Sequence, residues 1–208
     1  MENRMSEIKE VIRNLERNHM RGYYVKSIDE LHNLIQSFLK SGERIGCGDS
    51  VTLEDTGIFK MLRQGDYIFL DKHQGGLTSE QKREIYLENF GCDTFVTGTN
   101  AVTLDGKLFN IDGNGSRVAP MIYGPKQVVV VVGTNKLVPD VKEAILRTRQ
   151  IAAPRDAVRL KKSTPCTELG KCVDCHHETR ICNDFVLITG QFDKERIKVV
   201  IVEGNYGY

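Results

Sequence analysis

The stretch TGTNAVTLDGKLFNIDGNGSRVAPMIYGPKQVVVVVG, residues 97–133, carries three different structural signals. Asp105-Gly106 lies between two short apolar runs, which is the usual sequence signal of a β-hairpin. The following run, DGNG at 112–115, predicts a loop whose backbone can adopt positive φ angles. The five valines at 128–132 then predict a strand that is buried on both faces.

Upstream of this stretch, helical and extended patterns alternate. Short apolar runs such as RIGC (44–47), YIFL (67–70) and TFVT (94–97) are separated by segments with apolar residues at helical spacing. Because the runs are apolar on both faces, they predict a parallel sheet covered by helices on both sides. Two further runs, FVLI (185–188) and IKVVIV (197–202), are expected to close the fold.

The length and these patterns together predict one α/β domain over residues 1–208. We expect an open, mainly parallel sheet, a central hairpin and a small cysteine-rich segment at 163–183 within the domain. Several helix boundaries are also marked. Ser27 and Glu30 match a capping box, apolar residues between 53 and 62 predict one helix, and Pro139 is expected to begin another.

Composition excludes some classes of partner. The chain has 29 lysines and arginines against 28 aspartates and glutamates, so nothing favours binding to nucleic acid. The longest apolar run is much too short to span a membrane, and the first residues show no signal-peptide pattern. We therefore expect a cytoplasmic protein whose six cysteines are thiols or metal ligands rather than disulfides.

Three loops rich in glycine and small polar residues follow predicted strands, namely GCGDSVT (46–52), TGTNAVT (97–103) and NIDGNGSRVAP (110–120). Each loop alone is equally compatible with an ordinary turn. Ligands of open parallel sheets bind beyond the carboxyl ends of the strands, so we expect the three loops to form one cleft. Glycine turns and an arginine suit a carboxylate or phosphate. The predicted ligand contacts are Gly46, Gly48, Ser50, Thr52, Thr97, Gly98, Thr99, Asn100, Asp112, Gly113, Asn114, Gly115 and Arg117.

Four carboxylates near these loops are candidates for proton transfer: Asp49, Glu54, Asp55 and Asp112. General acid–base catalysis needs a carboxylate within reach of the substrate, with a pKa moved by burial or charge. The pattern alone does not choose among the four. Helix capping or turn hydrogen bonding explains each of them equally well.

The segment CTELGKCVDCHHETRIC (166–182) has the spacing C-x5-C-x2-C-x6-C. Four thiolates this close can hold zinc or an iron–sulfur cluster, although the spacing matches neither the common zinc-finger nor the common ferredoxin pattern. His176 or His177 is an alternative ligand, and free thiols or a disulfide pair are the alternatives to a metal site. The predicted metal ligands are Cys166, Cys172, Cys175 and Cys182.

Two further cysteines lie outside this segment. Cys47 belongs to the first glycine loop, and its thiol would be reactive if a helix N-terminus lowered its pKa. Cys92 precedes a strand and is expected to be an unreactive packing thiol.

The central block from 97 to 138 resembles the LUD (lactate utilisation) domain family. GCGDSVTLEDTGI (46–58) is similar to the family's first glycine loop, and TPCTELGKCVDCHHETRICN (164–183) to the cysteine segment of one of its subgroups. The ending, IVEGNYGY, departs from the family's usual ending. The resemblance implies a fold similar to ribose-phosphate isomerases, glucosamine-phosphate deaminases and CoA transferases. It also makes Asp55, followed by Glu54, the first candidate for a catalytic carboxylate.

The resemblance implies a protein that binds a small hydroxy acid or related carboxylate in an oxidative system. Because the sequence contains no flavin or nicotinamide motif, iron–sulfur or flavin proteins are the expected redox partners. Two other functions stay open. One is an isomerase or transferase that acts on a phosphorylated or acylated small molecule, and the other is a non-catalytic metal or redox sensor.

Overall fold

The structure, a computed structural model, describes residues 2–208. The strands of its larger sheet are β1 (Arg21–Val25), β2 (Arg44–Cys47), β3 (Ile68–Phe69), β4 (Thr94–Gly98), β7 (Gln127–Gly133) and β10 (Ile197–Val202). They lie in the order β1-β10-β7-β4-β2-β3, and all neighbouring pairs are parallel. The expected α/β class with a mainly parallel sheet is therefore confirmed. The edge strand β1 was not expected, because most of its residues are half-buried and it lacks a continuous apolar run.

The valine run explains why the centre of this sheet is buried on both sides. In β7, Val128 and Val130 pack into the hydrophobic core on one face, and Val129 and Val131 into the core on the other. Successive side chains of a strand point to opposite faces, so a run of valines supplies both cores.

A smaller sheet is built around the hairpin. Its strands are β5 (Ala101–Thr103), β6 (Leu108–Asp112), β8 (Leu137–Val138) and β9 (Asp184–Ile188), in the order β8-β5-β6-β9. The antiparallel pair β5–β6 confirms the hairpin, and Gly106 at its turn has a φ of 79°. β9 pairs antiparallel with β6, so the residues that follow the cysteine-rich segment are joined to the hairpin.

Nine α-helices surround the sheets within the described residues: α1 (Glu2–Arg17), α2 (Ile28–Phe38), α3 (Val51–Asp55), α4 (Ile58–Gln64), α5 (Ser79–Glu88), α6 (Val118–Ile122), α7 (Val141–Arg147), α8 (Ala153–Arg159) and α9 (Pro165–Leu169). Short 3-10 turns occupy Asn89–Gly91 and Thr134–Lys136. A π-helical segment, Thr148–Ala152, joins α7 to α8. No helix within residues 2–208 is both long and apolar enough to cross a lipid bilayer.

Two helix boundaries differ from the sequence prediction. The single helix expected between 53 and 62 is divided into α3 and α4 by Gly57, which has a φ of 69°. Asp140 rather than Pro139 caps the next helix, because its side chain accepts the Glu143 N–H. At α2 the predicted cap Ser27 is confirmed, since its hydroxyl accepts from the amide of Glu30. The Glu30 carboxylate accepts from the amide of Lys26 rather than from that of Ser27.

The chain passes between the two sheets at their common edge. β4 ends at Gly98, and the chain then enters β5 at Ala101. Likewise, β7 ends at Gly133, and the chain enters β8 at Leu137. The carboxyl ends of the central parallel strands therefore face the small sheet, which is where an open α/β sheet binds its ligands.

Candidate functional site

The three glycine-rich loops meet in one cleft at this edge, as expected. An inner cavity of about 80 Å³ is lined by residues from all three loops, including Ser50, Asn100 and Arg117. It continues into an outer cavity of about 390 Å³ that Asp112 and Asn114 help to line. The predicted contacts that line one or both parts are Ser50, Gly98, Thr99, Asn100, Asp112, Gly113, Asn114 and Arg117.

Five of the predicted contacts lie outside the lining, namely Gly46, Gly48, Thr52, Thr97 and Gly115. Some of them support the wall instead. A Cβ atom on Gly48 would lie 2.9 Å from Cγ of Arg117 and still closer to the Thr97 hydroxyl, so this glycine lets two loops approach each other. Thr52 is fully buried, and its hydroxyl oxygen accepts from a lysine at the cleft.

Arg117 joins the loops to one another. Its Nη1 donates to Oδ1 of Asn110. The same nitrogen donates to the carbonyl of Gly98 at 3.4 Å. Its Nη2 donates to Oδ1 of Asn100 at 3.2 Å and to the carbonyl of Ile111 at 2.9 Å. Both terminal nitrogens are thus used by the protein itself, and Arg117 positions the cleft wall as well as lining it.

Asp112 provides a buried carboxylate at the end of β6. Its Oδ1 accepts from the amides of Gly113 (2.7 Å) and Asn114 (3.4 Å). Its Oδ2 lies 3.6 Å from Nε of Arg117 and has no hydrogen-bond donor among the described residues. Asp112 therefore has one buried oxygen that receives no hydrogen bond and lies beside the guanidinium of Arg117.

Lys136 lines the inner cavity and was missed by the sequence analysis. It is only 4% exposed, and its Nζ donates to the Thr52 hydroxyl at 2.7 Å. Burial, together with the nearby charges of Arg147 and Arg117, lowers the pKa of Lys136 to about 7. Within residues 2–208 no carboxylate forms an ion pair with it. The signal that could have revealed it is a single cation directly after the most apolar strand, in VVVVVGTNKLV.

Asp49 lines both parts of the cleft, but it already has charged partners. Its Oδ1 lies 3.2 Å from Nζ of Lys72 and 3.5 Å from Nε2 of His73. Burial raises the pKa of Asp49, but Lys72 and His73 lower it more, so the pKa is below its usual value. Burial lowers the pKa of His73. Asp49 is consequently a charged wall residue near neutral pH.

Glu54 and Asp55, the predicted catalytic carboxylates, lie elsewhere. Both are exposed, and neither lines the cleft, because α3 buries Thr52 and Leu53 and turns the next two residues outward. Asp55 instead accepts a hydrogen bond from the amide of Gly207 at 2.8 Å. In this structure Asp55 therefore holds the C-terminal residues rather than facing the cleft.

The helical run from α7 to α8 forms the opposite wall. Thr148 and Ala152 of the π-helical segment, and Asp156 and Arg159 of α8, line the inner cavity. Arg159 donates to Asp156 at 2.7 Å. A π-helical turn contains one residue more than an α-helical turn and is frequent at functional sites.

The four clustered cysteines line a second, separate cavity of about 40 Å³, together with Arg149 and Arg180. Neither His176 nor His177 lines this cavity. All four thiols are free and half-buried. In the described part of the chain, no three histidine, cysteine or acidic side chains are already arranged to hold a metal ion. The expected metal therefore stays a prediction.

The two other cysteines are both buried. Burial raises the pKa of Cys47 to about 12, so the suggestion of a reactive thiol in the first glycine loop is wrong. Burial also raises the pKa of Cys92 to about 11, and this thiol donates to the carbonyl of Asn89. Cys92 is the packing residue that its sequence position indicated.

Comparison with known proteins identifies the family. The LUD domain model matches residues 8–202, and no curated protein matches the sequence. A DUF162 family protein from Deinococcus radiodurans is similar over 97% of this chain and 98% of its own, with 12% identity and a TM-score of 0.53. Ribose 5-phosphate isomerase A from Neisseria gonorrhoeae is 16% identical over 56% of each chain, with a TM-score of 0.35. Because the family match spans nearly the whole sequence, this chain belongs to the LUD domain family.

Proposed function

We propose that this protein binds a small organic anion of the hydroxy-carboxylate class in the cleft, within a lactate-utilisation-like oxidative system. The observation that carries the proposal is Lys136, a buried ammonium group on the cavity wall whose protein partner is a hydroxyl. A buried charge costs free energy unless an opposite charge neutralises it. An anionic ligand supplies that charge.

The rest of the cleft suits a ligand of this kind. The inner cavity has room for a molecule of a few heavy atoms. In the proposed complex the ligand carboxylate pairs with Lys136 in the inner cavity, and its hydroxyl extends toward Asp112 of the outer cavity. The wall residues Asn100 and Ser50 add polar contacts beside the carboxylate.

The redox part of the proposal needs a second protein. Oxidation of a hydroxy acid to a keto acid removes two electrons and two protons from the substrate. In this proposal Asp112 accepts the hydroxyl proton. The electrons and the second proton go to a flavin or iron–sulfur protein, which is the class of partner that membership of the LUD family supports.

Binding of lactate by the purified full chain tests the anion site. We expect lactate to raise the melting temperature and to bind in calorimetry, since a ligand of the folded state stabilises it. Lys136→Met should weaken lactate binding by at least about tenfold, which corresponds to about 1.4 kcal/mol. The matched control is Lys142→Met, because Lys142 is exposed and lies outside the cleft.

Lactamide provides a ligand control, since it has the same shape without the charge. If lactamide binds as tightly as lactate, or if Lys136→Met binds lactate as the unaltered protein does, the anion site is wrong. Glycolate and 3-hydroxybutyrate extend the series and report how far the cavity tolerates a shorter or longer carboxylate.

A further inference from the structure

We infer that Cys166, Cys172, Cys175 and Cys182 hold an iron–sulfur cluster. The four thiols line one cavity of about 40 Å³ between the cysteine-rich segment and the helical run that contains Arg149. The inference does not depend on the anion site, because it uses different residues and a different cavity.

The size of the cavity favours an iron–sulfur cluster over a single metal ion. Four cysteines that share one zinc ion must all place sulfur at about 2.3 Å from the same point, which leaves no cavity between them. Here the four thiols line an open space, and among residues 2–208 no three histidine, cysteine or acidic side chains are arranged to hold a single metal ion. A space of about 10–15 Å³ already holds a water molecule, and this cavity is larger. An inorganic core of iron and sulfide would occupy it.

Hydrogen bonds to the sulfur atoms also suit a cluster. Nη2 of Arg149 and the amide of Asp174 donate to Sγ of Cys172, at 3.3 and 3.4 Å. The hydroxyl of Thr164 lies 3.2 Å from Sγ of Cys166. Donors of this kind stabilise thiolate ligands and tune the reduction potential of a cluster.

Positive charge is available to offset four thiolates. Arg149 lines the cavity and contacts one sulfur, and Arg180 donates to the carbonyls of Cys175 (2.9 Å) and Cys182 (3.1 Å). Arg180 thereby fixes the backbone that carries two of the proposed ligands. Arg149 belongs to the π-helical segment and Arg180 to the cysteine-rich segment itself, so cations from two elements line the cavity.

The cluster would lie next to the cleft and near the surface. Cys182 follows Ile181, which lines the cleft, and Ala153 lines both cavities. Val173 and Phe185 line the cysteine cavity and are 44% and 49% exposed. One-electron transfer is the chemistry that such a cluster supplies, and this position leaves it accessible to a redox protein.

Anaerobic reconstitution of the full chain with ferrous iron, sulfide and a thiol reductant tests the inference. We expect iron and acid-labile sulfide in equal amounts, broad visible absorption, and an electron paramagnetic resonance signal after reduction by dithionite. Cys172→Ser and Cys175→Ser should lose most of the iron and the absorption. Cys92→Ser and His176→Ala should keep both, because neither residue lines the cavity.

Two results would overturn the inference. One is freshly purified protein that contains one zinc per chain and takes up no iron or sulfide on reconstitution. The other is a Cys175→Ser protein whose cluster content equals that of Cys92→Ser. The measurements on the unaltered chain stand even if a cysteine variant fails to fold, and circular dichroism of each variant identifies that case.

Discussion

The surroundings of Lys136 indicate that this residue has a functional role. Arg147 and Arg117 each lower its pKa more than the carboxylate of Asp55 raises it. Such a position disfavours the folded protein whenever the lysine is protonated. Natural proteins tolerate a cost of this kind mainly at functional sites, where the group has a task.

The buried lysine makes stability depend on pH. The pKa of Lys136 is about 7 in the folded protein, against 10.5 for an unperturbed lysine. Below pH 7 the group is protonated in both states, and the folded state bears the full cost. Between these two values the unfolded chain binds more protons, so the cost falls as the pH rises. The stabilisation by Lys136→Met should therefore be larger at pH 6 than at pH 9.5, by about 3 kcal/mol.

Urea denaturation at the two pH values measures this difference. Lys142→Met is the control, since the exposed ammonium of Lys142 should give the same small effect at both. A stability difference for Lys136→Met that does not change with pH would mean that the lysine is not held in a charge-disfavouring environment.

Arg117 should matter for folding as well as for binding. Removing its guanidinium takes one donor each from the side-chain oxygens of Asn110 and Asn100 and from the carbonyl of Ile111. The two side-chain oxygens keep a second donor, the amides of Asn100 and Ile111. We expect Arg117→Ala to lower the free energy of unfolding by about 2 kcal/mol, since a hydrogen bond to a charged group contributes about 1.5–3 kcal/mol. Chemical denaturation beside Arg155→Ala, an exposed arginine of α8, provides the comparison. Equal stability of the two variants would show that Arg117 does not stabilise the fold.

Among the elements, the hairpin β5–β6 is placed by its turn against α1. The side chain of Asn18 donates to the carbonyls of Asp105 and Gly106, at 2.9 Å each, and Asn14 donates to the carbonyl of Leu104 at 2.8 Å. This contact orients the small sheet and, with it, the loop that begins at Asp112. The first helix therefore contributes to the cleft without lining it.

Alanine substitutions at two glycines with similar φ angles can distinguish the cost of backbone strain from the cost of a steric clash. Gly42 and Gly106 have φ of 72° and 79°, but only Gly106 lacks space, because its Cβ would lie 2.5 Å from the carbonyl carbon of Asn14. Gly42→Ala should cost about 1 kcal/mol from backbone strain alone. Gly106→Ala should cost about 3 kcal/mol, because the contact with α1 must also be displaced. Thermal and urea denaturation of both variants measure the two costs, and equal losses would show that the hairpin turn does not pack tightly on α1.

Over the entire chain, the two sheets cooperate in forming the cleft. The chain crosses from the large sheet to the small one after β4 and again after β7, and these crossings carry Asn100 and Lys136. The third contribution comes from Asp112 and Arg117, directly after the hairpin. A short distance away, the cysteine-rich segment is tied back to the same loop, because Asn183 donates to the carbonyl of Gly113 at 2.8 Å.

Local sequence patterns were sufficient to predict the parallel sheet, the hairpin and the cleft that the three loops share. Strand periodicity, turn residues and glycine runs depend on residues that are near one another in sequence. The roles of individual side chains depended on residues far away in the chain. Lys136 is buried against Thr52, and Asp55 faces Gly207 rather than the cleft. Burial and hydrogen-bond partners set the charge and reach of each group, and these follow from long-range packing that no local pattern records.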